Sequence, residues 1–201
     1  PALLDEPLNV RGEILEVRTV PRGRRVDTGV WFEDQQGKRV ISARRSSLKP
    51  DQAAKDKGGA GERPQPVVAH VAELQLASTY SLTPERVKAY SMEGNSIHYE
   101  QEAAERAGFR APLIGGGMGV HYLTAELWRR NAPHAFNADV YFRRPIFWDE
   151  SITVGVRQDA GIWRGLALLK VGEVNKVGTE IALHDLLSLI HISEPTRHHV
   201  I

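Results

Sequence analysis

The chain has 201 residues, 41% of them hydrophobic and 25% charged, with a formal net charge of +1. That balance is an ordinary globular one of one or two domains, and it offers neither the basic excess of a nucleic-acid binder nor the apolar runs of a membrane span. With no cysteine, disulfides, thiol nucleophiles and cysteine metal sites are excluded, and a cytoplasmic setting is the default.

Residues 7–20 alternate as a strand, and 26–33 and 39–43 read as two more, joined by a hairpin loop, Asp34-Gln-Gln-Gly37-Lys38, with a glycine near its end. Three antiparallel strands with an apolar face need a partner layer to bury it. Residues 49–66 are rich in Pro, Gly and charge and read as an exposed linker. Residues 67–78 resume as a strand. Thr83-Pro84-Glu85 then supplies an N-cap, a first-position proline and a first-turn acid for a short helix through Ser91.

The chemistry is concentrated in residues 90–122. Glu93-Gly94-Asn95-Ser96-Ile97-His98 brings a carboxylate, an amide and an imidazole into six residues. Gly94 and Asn95 tolerate turn conformations, so Glu93 and His98 are expected on one side of a tight loop. A carboxylate and an imidazole that converge can hold a water and pass protons both ways near neutral pH, which is hydration or dehydration chemistry. A helix over about 100–107 ends at Gly108, and a longer one is predicted over 117–130, opened by Gly115-Gly116-Gly117. Glycines there let backbone N–H groups approach a ligand carbonyl, where the helix dipole favours developing negative charge. The bland reading of the same glycines is close packing of the helix start against a sheet. His121, one turn into that helix, reads as a core or interface histidine. Strands are then expected at 138–142, 151–157, 162–171 and 179–183, so the fold class is α+β with antiparallel strands around a central helix.

EGNSIH, followed by YEQEAAERAGFRAP and GGGM, resembles the hydratase motif of the MaoC-like dehydratases, the family that includes the (R)-specific enoyl-CoA hydratases. The resemblance covers about residues 80–152 and implies a hot-dog fold. It also implies that Glu93 and His98 share the catalytic water and that Gly117, with Gly116 beside it, presents an N–H to the thioester carbonyl. Asn95 would order the loop at the substrate. Glu93 stands where the family has Asp, and Ser96 where it has Pro. The substrate implied is an acyl-CoA, with no cofactor beyond the CoA it carries and no metal. Two alternatives stay open: a non-catalytic hot-dog subunit or acyl-binding partner, and a hot-dog acyl-CoA thioesterase.

Pro145-Ile-Phe-Trp-Asp-Glu-Ser-Ile-Thr-Val154 echoes Pro1-Ala-Leu-Leu-Asp-Glu-Pro-Leu-Asn-Val10, and Gly178-Thr-Glu-Ile181 answers Gly37-Lys-Arg-Val40. Two such echoes in register indicate duplication. The domains expected are therefore the last strands of a truncated first hot dog (1–48), a linker (49–66) and a complete hot dog (67–186), as in double hot-dog members. The absence of an initiator Met fits a chain that begins inside a longer one. A homodimer, or pairing with another hot-dog domain, is the expected assembly. From Leu187 the text LSLIHISEPTRHH breaks the strand pattern and resembles sequencing-adapter read-through, so 187–201 are set aside as a non-native tail, the alternative being a native last strand.

Overall fold

The computed structural model describes residues 6–21, 23–51, 64–91, 94–172 and 176–188. The chain divides into two compact units, Pro1–Gln65 and Pro66–Ile201.

The first unit is an antiparallel meander of β1 (Asn9–Val20), β2 (Gly23–Glu33) and β3 (Arg39–Pro50), in that spatial order. The third strand continues through Pro50, past the 39–43 expected from its apolar residues alone. Between β2 and β3 the Asp34 carboxylate accepts from the Gln36 and Lys38 N–H groups, and Gly37 takes the positive φ of 77° that the turn requires. Register sets Val10, Phe32 and Ile41 side by side, then Gly12, Val30 and Ala43, so one face is largely apolar. The other face centres on Asp27, which is almost fully buried and accepts hydrogen bonds from Ser46, Arg25 and Arg44. Those bonds, Ser46 first, hold its carboxyl well below the usual carboxylate range.

The second unit is a five-stranded antiparallel sheet in the order β4-β6-β7-β8-β5, built from β4 (Gln75–Ser81), β5 (Pro133–Phe142), β6 (Ser151–Asp159), β7 (Ile162–Lys170) and β8 (Val177–Ser188). The connection from β4 to β5 carries α1 (Pro84–Ser91), α2 (Gln101–Arg106) and α3 (Gly116–Asn131). Helix α3 buries Met118, Leu123 and Leu127 against Ile152, Val154, Leu166, Leu168 and Ile181 of the sheet. Gly119 lets it come close to β8: a Cβ there would sit 3.1 Å from the Thr179 hydroxyl. Close helix–sheet approach thus falls at Gly119 as well as at the start of the helix, where a Cβ on Gly116 would lie 2.7 Å from the ring of Phe142 in β5. The consecutive strands β6, β7 and β8 form a meander of the same order as β1, β2 and β3, in the segments where the sequence echoes itself.

Residues 67–74 are not the expected strand. They run to a 3-10 turn at Val71–Glu73, and β4 begins only at Gln75. Val68 and Leu74 pack with Ala167 and Leu169, on the opposite face of β7 from the one that meets α3, and Gly155 and Gly165 leave room for Leu74 and Val67. The Glu180 carboxylate, itself paired with Arg143, accepts from the Val67 and Val68 N–H groups, so these donors are not offered to a ladder. Strand β8 includes Leu187 and Ser188, which pair with Ala135 and Pro133; the rest of the set-aside tail, 189–201, lies outside the described residues. Among the described residues, no helix is long and apolar enough to cross a membrane.

Candidate active site at the start of helix α3

The loop after α1 is ordered by its own side chains. Asn95 caps the 3-10 turn Ser96–His98, its Oδ1 accepting from the Ile97 N–H at 3.3 Å while its carbonyl accepts from the His98 N–H at 3.0 Å. Asn95 therefore shapes the loop from an exposed position, and its partners here are backbone groups. Glu93, expected to face His98, lies outside the described residues.

His98 is fixed by one bond with a chemical consequence. Its Nδ1 lies 2.8 Å from the Leu113 carbonyl oxygen. A carbonyl can only accept, so Nδ1 carries the proton, and in the neutral ring Nε2 is left as the lone-pair base. The Leu113 carbonyl is in turn pinned: Leu113 bridges Phe147, the Ile114 N–H donates to Ile146, and the Trp148 N–H donates to Pro112. Arg110 reinforces this strap with two bonds to the Asp149 carboxylate, at 2.7 and 2.9 Å, and one to Glu150 at 3.0 Å. The Arg110 bond is the main reason the Asp149 carboxyl is lowered from its ordinary value.

The free Nε2 points toward the start of α3. A Cβ on Gly115 would lie 3.7 Å from His98 Nε2. One on Gly116 would lie 2.7 Å from the Phe142 ring, and one on Gly117 would lie 3.2 Å from the Tyr90 hydroxyl. The three consecutive glycines are thus each met by a different ring: the loop imidazole, the last residue of β5 and a phenol in the last turn of α1. Together these rings form a collar around the N-terminus of α3. Gly115 caps the helix without a side-chain hydrogen bond, and among the described residues the Gly116 and Gly117 N–H groups have no partner. Two free donors at the positive end of a 16-residue helix suit an oxygen bearing partial negative charge. Gly116 and Gly117 are exposed, so the position is open to a ligand.

Of the predicted site residues, the structure brings His98, Gly116 and Gly117 together and gives Asn95 a supporting place. Tyr90, His121 and Phe142 are additions. The Tyr90 hydroxyl lies 3.1 Å from His121 Nδ1, with the rings edge to face and 5.3 Å apart. His121 stands four residues after Gly117, on the same helix face, and that spacing was the available signal. Tyr90 and Phe142 come from elements whose approach to α3 is a tertiary matter. Arg143 and Arg144 are engaged structurally, Arg143 with Glu180 and Arg144 with the Val177 carbonyl.

No family model and no curated protein sequence matches the chain. Solved structures do. HtdX from Mycobacterium tuberculosis is similar with a TM-score of 0.71 at 20% identity, over 90% of this chain and 70% of that one. A MaoC-like dehydratase from Phytophthora capsici gives 0.61 at 20% identity, over 89% and 65%. A further M. tuberculosis protein, described as having a double hot-dog fold, gives 0.53 at 13% identity, over 88% and 68%. The chain thus spans 65% to 70% of the lengths of these structures. It has the hot-dog fold found in the MaoC-like dehydratases.

Proposed function

We propose that the chain carries the active site of an acyl-CoA hydratase or dehydratase, interconverting a 2-enoyl-CoA and a 3-hydroxyacyl-CoA. The observation that supports this most is the His98 tautomer: the Leu113 carbonyl holds the Nδ1 proton at 2.8 Å and leaves Nε2 as a base beside Gly115, at the start of α3. In this reading the thioester carbonyl accepts from Gly117, with Gly116 beside it, and Glu93 and His98 share a water. The water oxygen bonds to C3 as its proton passes to His98 Nε2, and the C2=C3 electrons move toward the carbonyl oxygen as an enolate. The enolate returns its electrons to C2, which takes a proton from the acid just formed. Dehydration is the same path reversed. The substrate brings its own CoA, and no step needs another cofactor.

The first unit, whose strand order repeats β6-β7-β8, is in the same reading part of a second hot dog. A second copy of the chain is the other partner in this reading. The absence of cysteine is in keeping with a cytoplasmic setting.

The test is loss of enoyl-thioester absorbance when crotonyl-CoA is added, run beside release of free CoA from butyryl-CoA. Absorbance loss without CoA release is the expected result. CoA release from the saturated thioester would point to a thioesterase, and neither signal from the folded protein would point to a non-catalytic acyl-binding subunit.

A further inference from the structure

The collar contains one polar group that the reaction above does not use. Tyr90 lies in the last turn of α1, 31 residues from His121, and the two meet at 3.1 Å beside Gly117. Both residues are exposed to solvent, so their bond is not there to satisfy buried polar groups. The Tyr90 hydroxyl lies 3.2 Å from the Cβ position of Gly117. A backbone nitrogen and its own Cβ are about 2.5 Å apart, so the hydroxyl is at most about 5.7 Å from the Gly117 nitrogen. One oxygen at about 2.9 Å from each spans that gap.

We propose that Tyr90 is a second hydrogen-bond donor to the thioester carbonyl, acting beside the Gly117 N–H, and that His121 is the positioning residue that frees its O–H for this. The inference rests on the reading that an acyl thioester binds at the start of α3. His121 works through its tautomer. With the proton on Nε2, Nδ1 accepts from the phenol and occupies its only hydrogen. With the proton on Nδ1, the imidazole donates to the phenol oxygen, and the O–H is free to turn to a ligand. A bound carbonyl rewards the second state. A phenol is a donor at neutral pH at its ordinary value, and partial desolvation shifts Tyr90 further upward.

The test compares butyryl-CoA with its thioether analogue, in which CH2 replaces the carbonyl. Neither is turned over by a hydratase, and they differ only in the acceptor. Calorimetric titration of wild type should show tighter binding of the thioester. Tyr90→Phe should weaken the thioester by about tenfold, as loss of one hydrogen bond gives, and leave the thioether unchanged. His121→Ala should lower thioester affinity in the same selective way, and nitrogen NMR of the wild type should show the His121 proton move to Nδ1 when butyryl-CoA binds. An equal loss for both ligands in Tyr90→Phe, or an unchanged preference, would overturn the inference. If Tyr90→Phe loses the preference while crotonyl-CoA is not hydrated by wild type, the hydratase reading fails and the role of Tyr90 in binding stands. Binding of neither ligand to folded wild type would overturn both.

Discussion

Replacing Gly116 with alanine adds one methyl group where the Phe142 ring already stands, with ring carbons 2.7 and 2.8 Å from the new atom. A normal carbon–carbon contact is about 3.5 Å, so the ring must retreat by about 0.8 Å or swing away. It can do so cheaply, because Phe142 is 62% exposed. The methyl also restricts the backbone of a helical residue, which is worth up to about 1 kcal/mol relative to glycine in a helix interior and less at a first turn. Stability should therefore stay within about 0.5 kcal/mol of wild type, read as an unchanged urea midpoint. Activity should not survive so well. The methyl and the displaced ring would crowd the Gly116 and Gly117 N–H groups, to which the proposed reaction assigns the carbonyl. A misplacement near 1 Å, or loss of one such donor, costs about 100-fold in rate. The assay is crotonyl-CoA hydration by Gly116→Ala, with the urea midpoint measured on the same preparation. A Gly116→Ala protein that is stable and also fully active would refute the placement of the carbonyl at this helix end.

Two further predictions concern what supports the site. Glu126 is fully buried on α3 and accepts from Ser78 at 2.8 Å, Arg129 at 2.9 Å and Arg130. Both arginines are about half exposed, so Glu126→Ala returns their charges to water rather than stranding them. The expected loss is about 2 kcal/mol by urea titration, below the range for breaking a fully buried pair; no measurable loss would show that the cluster is not formed. Asp149 has its carboxyl lowered chiefly by the Arg110 bond. A depressed carboxylate contributes stability above its unfolded pKa and loses it as pH falls through the folded value. The gap in Tm between wild type and Asp149→Asn should therefore be present at pH 7 and close as pH falls below about 4. A gap that stays constant would mean that the pair does not form in solution.

Local pattern carried much of this fold. The glycine start and the apolar periodicity of 117–130 gave a helix that the structure places at Gly116–Asn131, and Thr83-Pro84-Glu85 gave α1 its observed beginning. Thr83 caps it through a 3.3 Å bond from the Arg86 N–H. Residues 67–74 were misread because VVAHVAEL suits a strand by period. What decides their path is the Glu180 carboxylate, 113 residues from Val67, together with the space at Gly155 and Gly165. The site shows the same division. His98, Asn95 and the glycines were legible as a motif within one stretch. The bond that sets the His98 tautomer spans 15 residues, and the rings over Gly116 and Gly117 come from β5 and α1. Such contacts follow from packing and leave no periodic trace.

The most direct measurement is the rate of crotonyl-CoA hydration by His98→Ala against wild type, with far-UV circular dichroism confirming that both are folded. If His98 Nε2 is the base, kcat/KM should fall by about 1,000-fold, in the range that loss of a positioned general base produces. A folded His98→Ala protein that hydrates crotonyl-CoA within threefold of wild type would contradict the account.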